Sequence, residues 1–384
     1  MQPKVLFVSH TTNFIKFNLP YMKWFRDQGW LVHYASAEEE PFPDDVCDAH
    51  FRISFQRSPY STDNIVAYKQ IKELIDNQNY QIIHCHTPVG GAVTRLAARD
   101  ARKRGTKVIY TAHGFHFYRG APKRNWMLYY PVEKYLSRYT DCLVTMNRED
   151  YRLAVNKLHA KTIKKIDGVG VDLTSFIPIS TEQKKSLRLQ YGFRPDDFIL
   201  IYTAEFISRK RHAFLVDILP ELRRAIPNLK ILFCGIGDLL PDIQRKVSTL
   251  HLDDIVFFMG YCNNINVMCN MADMLVSVSV QEGLPINIIE GMATGLPIVC
   301  ANIRGQVDII QDGINGFLYS KEDLNELYLN ILKLYYDPSL RKKIALYNVE
   351  DVKKYSLDRA LKNMQEIYET VNIKFLEKTG VGEL

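Results

Sequence analysis

The segment MLVSVSVQEGLPINIIEGMATGLPIVC, residues 274–300, contains a predicted strand, a loop, a helix and the start of a second strand. The apolar, β-branched run MLVSVSV predicts a buried strand. Pro285 suits the first turn of a helix, where its missing N–H group costs nothing. The PIVCAN that follows predicts the next strand. Such a strand-helix-strand unit is typical of a parallel sheet covered by helices on both faces.

The same alternation extends over most of the chain and occurs in two series. The first series has the strand candidates KVLFVSH, WLVHYAS, QIIHCH, KVIYTAHG and CLVTMN, and the second has FILIYTAEF, LKILFCGIG, IVFFMGY, MLVSVSV and PIVCAN. The turn-rich segment IDGVGVDLTSFIPIS separates them. We therefore predict an α/β protein with two doubly wound, Rossmann-like parallel-sheet domains, residues 1–175 and 176–355, which face each other across a cleft. From Lys321 onward the sequence predicts helices only.

The composition is that of a globular protein, with 47% hydrophobic and 24% charged residues. No apolar run approaches the roughly 20 residues that a membrane span needs, and the start MQPKVLFVSH indicates a strand rather than a signal peptide. The net charge of +6 suits anionic partners without requiring nucleic acid. The seven cysteines form no CxxC motif and fit buried thiols in a reducing compartment. We expect a cytoplasmic protein that binds no nucleic acid.

Two glutamates stand on either side of the predicted helix start in the opening segment. Glu282 falls in the loop after the strand, where doubly wound sheets bind their ligands, and Glu290 falls about 7.5 Å along the helix axis. The positive end of this helix suits a phosphate. The residues expected to line that phosphate follow Glu282 directly: Gly283, Leu284, Pro285 and Ile286. The alternative, a helix-start charge and a solvated helix glutamate, is the commoner explanation for an isolated pair.

A basic cluster in IYTAEFISRKRHAFLV favours the ligand-binding explanation for the two glutamates. Arg209, Lys210 and Arg211 follow the end of a predicted strand and precede a helix. Lysine supplies a point charge to a diphosphate and arginine can bind it with two hydrogen bonds. An exposed basic helix start is the alternative, but cations are unfavourable beside the positive end of a helix. Because this position is unfavourable for cations, it favours a functional role for the three basic residues.

Weaker signals come from other loops that follow strands. Gly235 and Gly237 stand in a strand-to-helix turn, where tight-turn chemistry and ligand contact are equally acceptable explanations. Gly305, in NIRGQVDII, marks a further loop. His113 ends a strand just before a glycine, a position that favours a functional role. The chain has no Asp-x-Asp motif, so no metal site is predicted.

The histidines in HCHTPVGG, His84 and His86, are expected to face opposite sides of their strand and to be poor joint metal ligands.

Residues 123–139 mix basic and aromatic side chains in KRNWMLYYPVEKYLSRY. Interfacial helices at anionic membranes have this mixture. The segment predicts a peripheral contact with the inner face of the cell membrane. The alternative is a helix that packs on its own domain, with the basic side chains extended along its rim.

Together these residues resemble the retaining glycosyltransferases of family 4, which have the GT-B architecture. The most specific part is Glu282-x7-Glu290 in EGLPINIIEGMATGLPIV. Lys210 matches the donor-phosphate lysine of the family, and GVGVDLTSF matches its NGVD…F turn. HTPVGG, TAHGFHF, NIRGQVDII and DGINGFL resemble the branch that makes exopolysaccharide, capsule and lipid-linked glycans.

The resemblance implies a nucleotide-sugar donor, expected to be UDP-linked, and a saccharide or polyprenyl-diphosphate-linked acceptor, with no metal and no further cofactor. Glu290 would bind the ribose, Glu282 the donor sugar, and Arg209 and Lys210 the diphosphate. His113 would act near the reacting bond.

The resemblance also implies that Gly235 and Gly237 approach the donor and that the last helix, within residues 356–384, crosses back to the first domain.

Two departures from the family pattern affect the expected donor contacts, and two alternative functions also stay open. Ala204 and Glu205 stand where the family commonly has Gly-Arg, and TTNFIKFNLP replaces its Gly-Gly loop. One alternative is a nucleotide-sugar epimerase of the same fold, similar to UDP-N-acetylglucosamine 2-epimerase. The other is a catalytically inactive partner subunit.

Overall fold

The computed structural model describes residues 2–37 and 46–379 of the 384-residue chain. These residues form two compact units. One contains the described parts of Met1–Val169 and Asp358–Leu384, and the other is Gly170–Leu357. Residues 380–384, at the end of the predicted C-terminal segment, lie outside the described residues.

The first unit is built on a parallel sheet. Its strands are β1 (Lys4–Val8), β2 (Leu31–Ser36), β3 (Ala49–Arg52), β4 (Ile82–His86), β5 (Lys107–Ala112), β6 (Cys142–Thr145) and β7 (Thr162–Lys165). Their order in the sheet is β3-β2-β1-β4-β5-β6-β7. The order runs outward in both directions from the pair β1 and β4, so the topological switch point lies between these two strands.

Helices connect the strands of the first unit. They are α1 (Ile15–Asp27), α2 (Asp63–Gln78), α3 (Pro88–Ala97), α4 (Arg99–Lys103), α5 (Lys123–Leu136) and α6 (Arg148–Lys157). In α2 the buried residues are Ala67, Ile71, Leu74 and Ile75, a spacing that forms one apolar stripe against the sheet. The residue after the helix, Asn79, has φ 53°, the left-handed conformation common at helix C-termini.

The second unit contains another parallel sheet. Its strands are β8 (Phe198–Thr203), β9 (Leu229–Cys234), β10 (Val256–Gly260), β11 (Met274–Ser277), β12 (Ile298–Ala301) and β13 (Gly316–Tyr319). The order is β10-β9-β8-β11-β12-β13, which repeats the arrangement of the first sheet and places the switch point between β8 and β11.

The helices of the second unit are α7 (Thr181–Gln190), α8 (His212–Ala225), α9 (Leu240–Thr249), α10 (Ile265–Met271), α11 (Ile286–Ala293), α12 (Gln306–Ile309), α13 (Leu324–Tyr336) and α14 (Pro338–Asp351). They cover both faces of the sheet. On β8, Phe198, Leu200 and Tyr202 belong to one buried cluster, whereas Ile199 and Ile201 belong to another. Alternate side chains of one strand therefore build two cores, which explains its continuous apolar sequence.

The last helix, α15 (Leu357–Thr379), returns to the first unit. Its Tyr368 is 1% exposed, and the ring stacks on Trp24 with centroids 5.8 Å apart and an interplanar angle of 15°. The aromatic contact anchors the helix, since buried aromatic pairs stabilise beyond the area that they cover.

The α/β fold with two doubly wound parallel sheets is confirmed, and all ten predicted strands are present. Sequence analysis missed β3, β7 and β13. These three strands lie at sheet edges, where one side is unpaired and the apolar run is short, as in TIKK of β7. Across the described residues, no helix combines the length and the apolarity required to cross a bilayer.

Candidate functional site

The predicted donor-binding residues follow two adjacent strands of the second sheet. Arg209 and Lys210 lie in a 3₁₀ turn, Ser208–Lys210, between β8 and α8, and Glu282 lies between β11 and α11. Strands β8 and β11 pair directly. Because the carboxyl ends of parallel strands lie at the same edge of a sheet, the two loops meet at the switch point.

Three of these residues are in contact. The Lys210 ammonium forms an ion pair with Oε1 of Glu282. Arg209 Nη1 lies 3.7 Å from Oε2 of the same carboxylate and donates a 3.3 Å hydrogen bond to the Gln281 carbonyl. The side chains of Lys210 and Glu282 are 12% and 9% exposed, and that of Arg209 is 40% exposed. Two cations share one carboxylate, so the group keeps a positive charge that suits an anionic ligand.

A buried tyrosine holds the two loops together. The Tyr202 hydroxyl donates a 2.7 Å hydrogen bond to the Lys210 carbonyl and lies 3.0 Å from the Ser279 hydroxyl. The Val280 N–H donates to the Arg209 carbonyl at 2.9 Å. Sequence analysis missed Tyr202 and Ser279 because each stands among apolar residues of a strand-like run, and their pairing depends on the sheet order.

The helix that follows Glu282 begins at Ile286, and Pro285 is its N-cap with φ −75° and ψ 110°. The prediction that Pro285 lies in the first helical turn is wrong by one position, because its ψ is extended. The Asn287 amide donates a 2.9 Å hydrogen bond to the Thr203 carbonyl at the end of β8. The start of α11 is therefore attached to the strand that precedes the basic cluster.

Glu290, the second glutamate, is the fifth residue of α11 and is half-buried. Its carboxylate lies near α10, where it adds to the effect of burial in raising the pKa of the Cys269 thiol. Glu282 contacts the loop after β8 instead. The two carboxylates thus lie against different elements, and their contact with a ligand stays a prediction.

The glycines of the G-x-G turn pack against the loop after β8. Gly235 and Gly237 have φ of 154° and 152°. A Cβ atom on Gly235 would lie 2.0 Å from the Ala204 carbonyl oxygen, and one on Gly237 would lie 2.7 Å from the backbone N of Phe206. Close backbone approach therefore accounts for both glycines. Their contact with a ligand stays a prediction.

The loop after β12 supports the segment that follows Glu282. Gly305 has φ 81°, and a Cβ atom there would lie 2.4 Å from the Gly283 carbonyl oxygen. Gln306, which is fully buried, donates a 2.9 Å hydrogen bond to the Ser277 hydroxyl at the end of β11. Gly283 and Leu284 are half-buried. The backbone path of this segment depends on a glycine at position 305.

In the first unit, His113 follows β5 and is joined to His86 of β4, with His86 Nδ1 and His113 Nε2 3.1 Å apart. The Phe14 ring meets the His113 ring edge-on at a centroid distance of 4.7 Å. Burial lowers the pKa of His113 to about 3, so the imidazole is neutral at ordinary pH. The side chain is suited to donate or accept a hydrogen bond without a charge of its own.

The prediction that His84 and His86 face opposite sides of their strand is wrong. Their ring centroids lie 4.1 Å apart. Successive side chains of a strand alternate between faces, so residues two apart share a face. Among the residues that the structure describes, no group of three or more His, Cys, Asp or Glu is arranged to hold a metal ion.

Helix α5 combines a buried ion pair with several exposed apolar side chains. The buried carboxylate of Glu133 accepts hydrogen bonds from both Nη atoms of Arg95, the second at 2.9 Å, and Arg95 is fully buried. Four large apolar side chains of this helix are between 46% and 76% exposed: Met127, Leu128, Val132 and Tyr135. On the other side of the helix, Trp126, Tyr129 and Tyr130 pack against the core of the same unit, so α5 carries apolar side chains on both sides.

The sequence matches two family models. The model described as Glycosyl transferases group 1 matches residues 183–350, and the model described as Glycosyl transferase 4-like matches residues 4–147. The putative glycosyltransferase EpsD of Bacillus subtilis is 42% identical over 371 residues, which cover 96% of this chain and 97% of that protein. The chain therefore belongs to the family 4 glycosyltransferases, which have the GT-B architecture.

A more distant relative is the Escherichia coli UDP-Gal:alpha-D-GlcNAc-diphosphoundecaprenol alpha-1,3-galactosyltransferase. It is 26% identical over 280 residues, which cover 70% of this chain and 71% of that enzyme. Among solved structures, Anabaena Alr3699/HepE in complex with UDP and glucose superposes with a TM-score of 0.80 and 17% identity, over 96% of this chain and all of that one. At this identity the likeness establishes the fold alone.

Proposed function

We propose that this protein transfers a sugar from a UDP-linked donor to a saccharide or polyprenyl-diphosphate-linked acceptor in cell-surface polysaccharide synthesis. The observation that carries the proposal is the meeting of Arg209, Lys210 and Glu282 at the switch point of the second sheet. The names of two similar proteins support it. The E. coli relative uses UDP-Gal and a diphosphoundecaprenol-linked GlcNAc, and HepE has been solved with UDP and glucose.

The ion pair suggests how the donor enters. Lys210 forms an ion pair with Glu282. A diphosphate brings more negative charge than a carboxylate, so it competes for the ammonium and for Arg209. Glu282 then becomes available to accept hydrogen bonds from hydroxyls of the donor sugar. The proposed role of Glu290 is to bind the ribose hydroxyls.

Catalysis then depends on the leaving group. Cleavage of the bond between sugar and diphosphate leaves negative charge on the departing phosphate. Lys210, Arg209 and the start of α11 stabilise this charge more in the transition state than in the ground state. The proposed role of His113 is to assist at the reacting bond. We propose that the anomeric configuration is retained and that the departing phosphate takes the acceptor proton.

The basic cluster also takes the place of a metal ion in this proposal. Glu205, at the position where the family commonly has arginine, is exposed. Arg209 lies within 3.7 Å of Glu282 and supplies the second cation. We therefore expect transfer to continue in the presence of a chelator.

Donor binding and transfer are tested in two steps. Thermal unfolding with UDP-, GDP- and ADP-sugars identifies the donor, because a bound ligand raises the melting temperature. Transfer is then measured with a polyprenyl-diphosphate-linked N-acetylhexosamine as acceptor, with and without EDTA, and NMR of the anomeric proton reports the configuration. Conversion of the donor without acceptor would indicate an epimerase. Donor binding without transfer to any acceptor in a panel would indicate an inactive subunit.

We further propose that α5 binds the inner face of the cell membrane. Its exposed apolar side chains would enter the headgroup region, and Lys123, Arg124 and Arg138, all exposed, would contact anionic lipid. The ion pair between Arg95 and Glu133 holds the opposite side of the helix to its own unit.

The test is sedimentation with vesicles that contain anionic phospholipid, at low and high salt. Leu128→Asp should abolish binding. Leu346→Asp is the matched control, because Leu346 is a 67% exposed leucine on α14 of the other unit. If native protein stays in the supernatant at both salt concentrations, or if both variants sediment as the native protein does, the membrane contact is wrong.

A further inference from the structure

A chain of buried side chains leads to His113 in the first unit. His84 Nδ1 lies 2.7 Å from the Tyr368 hydroxyl, and its Nε2 lies 2.8 Å from the Thr111 hydroxyl. Both nitrogens of this ring are therefore held. His84 packs against His86, which in turn hydrogen-bonds His113. His84 is fully buried and His86 is 2% exposed, so neither ring has room to turn.

We infer that His86 is a positioning residue that holds His113 as a neutral hydrogen-bond donor with its proton on Nδ1. The inference deepens the proposed function, since it assigns to His113 the part of a donor rather than of a base. The contacts that carry it lie within the first unit.

His86 and His113 share one proton. His86 Nδ1 and His113 Nε2 are 3.1 Å apart, within hydrogen-bonding distance. Two N–H groups or two bare lone pairs would repel each other at this distance, so one nitrogen donates and the other accepts. Burial lowers the pKa of both histidines, which keeps both rings neutral. The tautomer of His86 therefore determines the tautomer of His113.

The surroundings of His86 determine whether its Nδ1 or the Nε2 of His113 is the donor. Nε2 of His86 is buried and has no hydrogen-bond partner among the described residues. A proton on this nitrogen would leave a buried N–H without an acceptor, an arrangement that folded proteins rarely contain. The proton of His86 is therefore on Nδ1 and is donated to His113 Nε2. Because His113 accepts through Nε2, its own proton is on Nδ1.

The fixed Nδ1–H group of His113 is suited to a role in catalysis. A neutral N–H group that is fixed in position can stabilise negative charge that develops during a reaction, without moving a proton. An imidazole free to exchange tautomers would lose part of this preorganisation. His86 thus acts through His113 and need not touch the substrate.

The test reads the tautomer directly, without substrate. In protein labelled with ¹⁵N-histidine, long-range ¹H–¹⁵N correlation spectra distinguish Nδ1–H from Nε2–H imidazoles, and His113→Gln identifies the signals of His113. We expect the Nδ1–H pattern for His113 and the same pattern for His86 at pH 7. An Nε2–H pattern for His113 would overturn the inference, whether or not the protein transfers sugar.

Three variants complete the experiment. His86→Leu should mix the His113 tautomers and lower kcat roughly tenfold, the scale of one hydrogen bond, with the donor KM changed less than twofold. His86→Asn keeps an amide N–H near the same position and should restore part of kcat. His33→Leu is the control, because His33 is a buried histidine of β2 that pairs with Tyr80 at 2.7 Å. Unchanged His113 signals in His86→Leu would also overturn the inference.

Discussion

Replacing Lys210 by alanine tests the proposed use of the basic cluster. The Lys210 ammonium pairs with Glu282, whose other carboxylate oxygen lies 3.7 Å from Arg209. The substitution therefore removes one of two cations from a carboxylate that is nearly buried. We expect a moderate loss of stability and a much larger loss of turnover.

Removal of one partner from a fully buried ion pair costs about 3–5 kcal/mol. The Glu282 side chain keeps 9% exposure and its second cation, so we expect a smaller loss of about 1–3 kcal/mol in the free energy of unfolding. This lowers the melting temperature by roughly 2–12 °C for a unit of this size. Loss of one preorganised donor to developing charge lowers kcat by about 10²–10³-fold, or 2.7–4 kcal/mol.

The assay measures UDP release at saturating donor and acceptor, well below the melting temperature of each variant. Lys184→Ala is the matched control in the same unit. Lys184 Nζ lies 2.9 Å from Asp273, and Asp273 keeps Arg188 at 2.6 Å. This substitution also removes one of two cations from a carboxylate, so it should lower the melting temperature similarly and leave kcat unchanged.

Two outcomes would refute the reasoning. Turnover of Lys210→Ala within threefold of the native value would mean that the ammonium does not stabilise the leaving group. An equal loss of turnover in Lys184→Ala would mean that reduced stability, rather than lost charge at the switch point, is responsible.

Three further predictions concern other parts of the chain. Gly305→Ala should raise the donor KM about tenfold, because the added Cβ would lie 2.4 Å from the Gly283 carbonyl oxygen. Gly313→Ala is the control and should leave KM unchanged, since Gly313 has a similar φ of 73° and no described atom within 4 Å of the added Cβ. Arg95→Met leaves the buried Glu133 carboxylate without its cation and should lower the free energy of unfolding in urea by about 3–5 kcal/mol, and adding Glu133→Leu should recover most of that loss. Burial lowers the pKa of His84 to about 3 from 6.5, so below pH 6.5 the unfolded chain binds a proton at this residue that the folded protein does not bind. His84 alone should therefore lower the free energy of unfolding by ~2 kcal/mol between pH 7 and pH 5, in addition to the losses from His86 and His113, whose pKa values burial also lowers. His84→Phe should show a shallower pH dependence of stability, and a slope identical to that of the native protein would contradict the assignment.

Much of the second unit could be predicted from local sequence. The buried strands are continuous apolar runs, and the loops between them contain Glu282, Glu290 and the basic cluster. Of the two edge strands of this sheet, β10 was predicted from its apolar run IVFFMGY, whereas the four-residue β13 was missed. The start of α11 at Ile286 was predicted one position too early, because proline is common at the first helical position, whereas here Pro285 is the N-cap.

The supporting residues of the site were not predictable in the same way. Tyr202 and Ser279 lie in strand-like runs, and each one alone has the features of a core residue. Their hydrogen bond exists because β8 and β11 are neighbours in the sheet. Likewise, the contact between His84 and Tyr368 requires the last helix to return to the first unit, over 284 positions of sequence.

The sequence by itself determined the fold class, the two strand-helix series and the family, because hydrophobic periodicity and the spacing of a short motif are local properties of the chain. The tertiary structure alone decided which of these residues meet. Lys210 and Glu282 are 72 positions apart and form an ion pair because the sheet order makes β8 and β11 adjacent. Strand order arises from the packing of the whole sheet, and no single segment encodes it.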